Sequence, residues 1–326
     1  MNQPISKLKL TGIPRYLASR AYMRAIARFG SAGKTIRGRQ VSLNLADAEQ
    51  RYMYRDCIRE PENVIIYMAM ANHGLASTFI DIGANCGHVA LSIIDCYSSI
   101  LLYEPNPVLA SLLREVFHGS NNVKIKEKAI VGSSAVSEVK LFVPFNSSGL
   151  ATVVGTHLND SSSAQEYSVA ATTLSAEFGD TSLANAYIKI DVEGQEYDIL
   201  SSSQELFKLH RPIVGFEALS TELLAKCAVI FDNCSFYCSR FDFLEPGGSL
   251  VKSPYGLLKA LVFGGSIDVL QVDPCSAGSL SNFSQVYAVP NEKRQSFENA
   301  IQDSFAKCSP LSLSSMDNIL TSAWKA

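Results

Sequence analysis

From Ser77 onward the chain alternates short apolar runs with longer amphipathic stretches. TFIDIG (78–83), SILLYE (99–104), VKIKEKAIV (123–131), AYIKID (186–191) and PIVGFE (212–217) are strand-length runs rich in β-branched residues. Such near-continuous apolar character fits strands buried on both faces. Helical stretches are predicted at 87–97, 107–117, 194–203 and 220–230. Strand and helix in alternation predict parallel βαβ units. Between the third and fourth runs, SEVKLFVPFN and GLATVVG predict a hairpin-like insert, followed by the loop NDSSSAQE. Past Glu217 the pattern weakens: SFYCSRFDFLEP and SQVYAVPNE predict two strands of an antiparallel sheet edge, with the apolar GLLKALVFGG between them. A helix and a frayed tail are expected at the end.

The first 74 residues differ in kind. PRYLASRAYMRAIARFG is predicted to be a helix from Pro14 to a stop at Gly30, with Arg20, Arg24 and Arg28 along one face. Residues 45–74 are expected to be helical in part. The division that follows is a basic helical extension over 1–74 and an α/β domain over 75–326.

Charge sharpens this picture. The formal net charge of −3 conceals a lead in which nine lysines and arginines precede Asp47, the first acidic residue. Such a lead can attract an anionic surface, and peripheral contact with the inner membrane surface is one expectation. Few basic residues lie in the sheet-forming region, so a nucleic-acid partner is not expected. At 47% hydrophobic and 18% charged residues, the chain can build a sizeable core. The longest apolar run near the start, Val64–Ala71, is too short for a membrane span, and arginine or lysine interrupts every candidate signal sequence in residues 1–30. A cytoplasmic protein is expected, a mitochondrial transit peptide being the less favoured reading. The eight cysteines contain no CxxC pair and the five histidines are scattered, so no metal site is expected.

Three acidic residues stand at predicted strand ends: Asp81 with the turn after it, Glu104 and Asp191. In an open parallel sheet, ligands bind beyond those ends. Gly83 and Gly87 permit a tight turn, while Asp81 and Asn85 put polar side chains where a pyrophosphate would need bare amides. Glu104 is placed to accept bonds from ribose hydroxyls. A nucleoside that lacks phosphates but carries an ammonium and a carboxylate is S-adenosylmethionine, the cofactor expected here.

FIDIGANCGHVAL, YEPNP, SSGLATVV and above all YIKIDVEGQEYDIL resemble the FkbM-type S-adenosylmethionine-dependent methyltransferases, in matching order over about residues 75–220. The resemblance implies a class I methyltransferase-like doubly wound α/β sheet, mostly parallel with one antiparallel strand. It also implies O-methylation of a hydroxyl on a sugar, macrolide or related metabolite. Gly83, Asn85 and Gly87 match the family's cofactor loop, Glu104 its ribose acid, and Asp191, Glu193, Gly194 and Glu196 its second signature; Asp81, Ala84 and Asn106 complete the expected cofactor set. Two positions depart from the pattern: Cys86 replaces a larger aliphatic residue, and Ser175 stands where an aspartate is usual.

Methyl transfer to an alcohol needs the acceptor oxygen aligned with the departing S–C bond and a group to take its proton. Asp191 is the first candidate for that base, and Glu193 and Glu217 are the other acids expected at the same crevice. Lys189 shares a strand face with Asp191 and can hold it ionised, which weakens it as a base. Glu196 is read as a structural acid at a helix N-terminus, and His88, at the start of the helix after the turn, as a residue that can reach the acceptor, with surface exposure its commoner fate. Asp191 and Glu217 alone would make an incomplete divalent-metal site. Two other functions compete: a NAD or nucleotide-sugar enzyme on a doubly wound sheet, and a non-catalytic protein that keeps the fold.

Overall fold

A computed structural model of the chain describes residues 4–11, 21–55, 60–144, 148–153, 164–179, 181–218, 220–241, 265–274, 283–308 and 311–312. In chain order its strands begin with β1 (Pro4–Thr11), β2 (Ser31–Ile36), β3 (Arg39–Asn44), β4 (Thr78–Ile82), β5 (Ser99–Tyr103), β6 (Val123–Lys126), β7 (Ala129–Ile130) and β8 (Glu138–Pro144). They continue with β9 (Ala164–Thr172), β10 (Ala186–Ile190), β11 (Ile213–Phe216), β12 (Cys234–Phe241), β13 (Gly265–Val272), β14 (Phe283–Pro290) and β15 (Leu311–Ser312). The chain clusters into two compact units: residues 1–22, 58–76 and 213–326 make the first, residues 23–57 and 77–212 the second.

In the second unit β10, β4, β5 and β6 pair in parallel, with Lys189 opposite Asp81 and Asp81 opposite Leu102. All of β10 and all of β4 after Thr78 are buried, which is why these segments read as unbroken apolar runs. Helix Pro107–Val116 follows β5; Pro107 pre-sets its first turn and Asn106 caps it by accepting a bond from the Val108 amide. Its Leu109, Leu112, Leu113 and Val116 are buried. Phe79 packs against Tyr97 and Tyr187, with both ring centroids 5.2 Å away.

The predicted run 123–131 divides. A turn in which the Lys128 amide donates to the Lys126 carbonyl ends β6, and β7 joins a separate small sheet in the order β7-β9-β8. This sheet corrects the expected hairpin: β8 pairs antiparallel with β9, residues 164–172, and not with GLATVVG. Of that segment, Ser148–Leu150 form a 3-10 turn and Thr152 makes an isolated bridge to Phe142. Ala151 and Val153 are apolar because they pack on the small sheet's core of Ala129, Val131, Leu141 and Val169. Residues 154–163, which hold most of the expected loop NDSSSAQE, lie outside the described residues. β2 and β3 form a hairpin whose two-residue turn, Arg37-Gly38, has positive φ at both positions, the geometry that suits strand twist.

In the first unit β11 pairs with β14, β14 with β12, β12 with β13 and β13 with β1, all antiparallel, while β1 and β15 are parallel. Antiparallel pairing thus extends beyond the one strand expected. β12 and β14 are the two strands predicted past Glu217, with Tyr237 opposite Tyr287. GLLKALVFGG lies outside the described residues except for Gly265, which opens β13. Helix Pro61–Asn72 is buried over ten consecutive residues, Pro61 to Met70. Its Asn63 accepts bonds from the Ser239 and Tyr287 hydroxyls at 2.8 and 2.7 Å.

Residues 4–11, expected only as part of a basic lead, form β1 with Leu8 buried and Lys7 and Lys9 exposed. Of the predicted helix 14–30, residues 14–20 lie outside the described residues; 21–26 are helical and Ala27–Phe29 form a 3-10 turn, with Arg24 and Arg28 exposed. Among the described residues no helix is long and apolar enough to cross a membrane.

Candidate active site

The site lies in the second unit, where β4, β5 and β10 end together. The Gly83 and Ala84 amides donate to the Tyr103 carbonyl at 3.0 and 3.1 Å, and the Asp191 amide donates to the Ile82 carbonyl at 3.0 Å. These bonds bring Gly83 against β10: a Cβ there would overlap the Asp191 carbonyl oxygen and stand 3.0 Å from its carbon. Gly83, Asn85 and Gly87 all have positive φ, at 85°, 51° and 79°. The Gly87 amide donates to the Ala84 carbonyl at 2.9 Å and closes the turn, while a Cβ on Gly87 would collide with Leu113 and Phe117 of the helix after β5. The second glycine thus serves helix packing, and the turn's ligand-facing work falls to its first half.

Asn85 joins the turn to its surroundings. Its amide donates to Glu104 Oε2 at 2.7 Å, and its side-chain oxygen accepts from the Cys86 amide at 2.7 Å and the Ser148 hydroxyl at 3.1 Å. The Ser148 amide in turn donates to Asp47 Oδ2 at 2.7 Å, so the 3-10 turn is fastened beside the glycine turn. Cys86 is wholly buried, and burial, with Glu49 and Asp47 nearby, pushes its thiol well above the usual range.

Glu104 is 5% exposed and accepts from the Asn106 amide at 2.9 Å as well as from Asn85. Burial pushes its carboxyl up to about 7, a rise opposed by the Asn106 and Asn85 amides. Each oxygen uses one lone pair on an amide, so each can accept one more donor, which suits a pair of vicinal hydroxyls. Asn106, expected among the cofactor ligands, is buried, with its side-chain oxygen engaged in capping the helix after β5.

On β10 the buried Lys189 ammonium stands between two carboxylates, 3.3 Å from Asp81 Oδ1 and 2.8 Å from Asp191 Oδ2. The pairing expected between Lys189 and Asp191 is present, and Asp81 shares it. Asp81, expected among the cofactor ligands, is 1% exposed and not among the residues lining the cleft, while Asp191 is about a third exposed and lines it. Glu193 has a positive φ of 52°, and its carbonyl accepts from the Thr152 hydroxyl at 3.0 Å. Glu196 is buried and accepts from the Val192 and Gly194 amides, each at 3.0 Å. It shapes the 192–194 turn, as its structural reading requires. Glu217 follows β11 in the first unit. His88, whose ordinary fate would be exposure, is buried at the start of helix His88–Ile93.

A cleft of about 590 Å³, open mouth included, runs over these strand ends. Gly83, Asn85, Glu104, Asp191 and Glu193 line it, together with Tyr103, Pro105, Lys128, Ala129 and Ile130. The last group was not singled out from the sequence. Lys128 and Tyr103 both donate to Glu177, at 2.9 and 3.1 Å, and these bonds lower the Glu177 carboxyl against the opposing effect of burial. The signal was present in EKAIV, where charge gives way to an apolar pair just past a strand end.

Residues 81–242 match the methyltransferase FkbM domain. No curated protein matches the chain. Among solved structures, methyltransferase FkbM from Methylobacillus flagellatus KT is 14% identical with a TM-score of 0.35, the match covering 66% of this chain and 44% of that one. The precorrin-6y C5,15-methyltransferase from Geobacter metallireducens GS-15 is 9% identical with a TM-score of 0.33, covering 67% and 94%. The phosphoethanolamine N-methyltransferase 1 from Haemonchus contortus, solved with phosphoethanolamine and S-adenosylhomocysteine, is 8% identical with a TM-score of 0.28, covering 83% and 52%. The chain thus spans less than half the length of the Methylobacillus protein.

Proposed function

We propose that the chain, whose residues 81–242 match the methyltransferase FkbM domain, is an S-adenosylmethionine-dependent methyltransferase acting on a hydroxyl of a sugar, glycan or related metabolite. The supporting observation is one cleft in which the carboxylates of Glu104 and Asp191 stand in different settings. Glu104 is buried, fixed by two amides and able to accept two hydroxyls; Asp191 is partly exposed and paired with Lys189.

S-Adenosylmethionine supplies a methyl carbon activated by its sulfonium. Gly83 and Asn85 would hold its amino-acid tail, with Ala84 behind them in the turn, and Glu104 would receive its ribose hydroxyls. Asp191 would accept the hydrogen bond of the acceptor hydroxyl, orient its oxygen for transfer and take its proton. Asp191 is engaged by Lys189 at 2.8 Å, so positioning of the acceptor is its larger contribution. Glu193, on the same cleft wall, is the second candidate to receive the proton.

Calorimetry with S-adenosylmethionine, S-adenosylhomocysteine and NAD tests the cofactor reading: failure of both sulfur nucleosides to bind at millimolar concentration sinks it. With radiolabelled donor and host extract, Asp191→Asn is expected to lower turnover by about 10²-fold or more. Its affinity for S-adenosylhomocysteine should stay within about twofold of the parent. Unchanged turnover removes Asp191 from the mechanism.

A further inference from the structure

A second hollow opens in the second unit, between the Val131–Val139 loop and helix Glu196–Ser202, and encloses about 910 Å³ with its mouth. Val153 and Gln195 line both this hollow and the cofactor cleft, so the two share a wall. Its floor is fixed by close packing: a Cβ on Gly132 would stand 2.7 Å from the Asp198 carbonyl oxygen and 2.9 Å from the Asp198 Cβ. The polar lining is Ser133, Gln195, Asp198, Ser201 and Ser202, and Val136 with three other valines supplies the apolar part. Among the described residues, that lining contains no lysine, arginine, histidine or aromatic ring, and its one formal charge is the Asp198 carboxylate.

We propose that this hollow is the acceptor site and that it takes a neutral polyol, a sugar or glycoside without phosphate, sulfate or carboxylate groups. The proposal rests on the methyltransferase reading and deepens it. Hydroxyl recognition needs donors and acceptors side by side, and the lining has both. The Ser202 hydroxyl donates to the Ile199 carbonyl at 3.0 Å and keeps lone pairs to accept, while Ser133 Oγ accepts from the Ala135 amide at 3.3 Å and keeps its proton to donate. Gln195 offers both functions at the shared wall. The valines fit the C–H face of a sugar ring. An anionic acceptor would face the Asp198 carboxylate with no cation in the described lining, which disfavours it. Val153 and Gln195 border both the hollow and the cleft where Asp191 and Glu193 stand, so a sugar seated against them lies beside the site of transfer.

The test uses the full chain, radiolabelled S-adenosylmethionine, and a panel of methyl hexosides beside their phosphorylated and uronic-acid counterparts. Transfer to neutral glycosides is expected to exceed transfer to the anionic ones by about tenfold or more. Val136→Trp, which fills the hollow, is expected to raise KM for the glycoside about tenfold. Asp198→Lys is expected to shift the neutral-to-anionic preference about fivefold toward the anion. S-Adenosylhomocysteine affinity, unchanged in both variants, shows that they are folded. Equal transfer to anionic acceptors, an unaltered preference in Asp198→Lys, or no labelling of any neutral glycoside while S-adenosylhomocysteine binds overturns the proposal. If the parent protein does not bind S-adenosylhomocysteine, the methyltransferase reading fails and the proposal falls with it.

Discussion

Glu104 shows how one side chain couples affinity to pH. In the free protein burial holds its carboxyl near neutrality, at about 7. Two backbone amides donate to its oxygens, and ribose hydroxyls would add two further donors, an arrangement that only the ionised form accepts fully. Ionisation rises from about a tenth at pH 6 to about nine tenths at pH 8 for such a group. Affinity for S-adenosylhomocysteine is therefore expected to rise about tenfold between those values, by calorimetry, and Glu104→Gln should flatten the profile. Stability moves the other way. Because the folded pKa is raised, the folded state holds a proton that the unfolded state has lost between about pH 4.5 and 7. The stabilising contribution is complete below that window and is lost as pH rises through it. A profile for the parent as flat as that of Glu104→Gln would show that Glu104 does not meet the ligand. Residue type and position made Glu104 and Asp191 legible in the sequence. The sharing of Lys189 by Asp81 and Asp191 was half legible: the spacing of two put Lys189 and Asp191 on one face, but Asp81 arrives by strand pairing, 108 positions away in the chain.

At the scale of elements, the glycine turn is constrained from two sides. Gly83 is held by the approach of the β10 end, and Gly87 by the helix after β5. Gly87→Ala combines a φ of 79° with side-chain overlap at Phe117 Cε2, 2.8 Å from the added carbon. A loss of about 2–4 kcal/mol is expected from urea unfolding, the sum of left-handed strain and overpacking. A loss below about 1 kcal/mol would mean that Leu113 and Phe117 repack freely. The elements most legible in the sequence are those buried on both faces, β4, β5 and β10, because burial writes a continuous apolar run. β9 escaped detection because AQEYSVAAT has four of its nine residues exposed and only Val169 buried, so that it reads as loop. β1 carried a legible signal, since KLKL alternates with the period of a strand; its lysines drew attention to charge instead. The Arg37-Gly38 turn likewise had a hairpin's signature in the glycine at its second position.

At the scale of the whole molecule, the compact units do not follow a single cut of the chain. Residues 58–76 cluster with 213–326 because Asn63 is held by hydroxyls 176 and 224 positions away. No local periodicity records such a contact, so this grouping could not be read from the sequence. Ligand-dependent hydrogen exchange turns the division into a measurement. The cofactor cleft is lined from the second unit, and a bound ligand that contacts only this cleft slows exchange where it suppresses local opening. With saturating S-adenosylhomocysteine, slower exchange is expected at residues 83–87, 103–106 and 191–195, while β12 and β14 of the first unit keep their rates. The amides at 217–218 decide the standing of Glu217. If they slow together with those at 103–106, Glu217 meets the ligand and joins Asp191 as an acid of the site; if their rates hold, the chemistry rests on Asp191 and Glu193. Protection spread evenly over both units would mean that the ligand stabilises the fold as a whole, and the cleft would lose its claim to be the binding site.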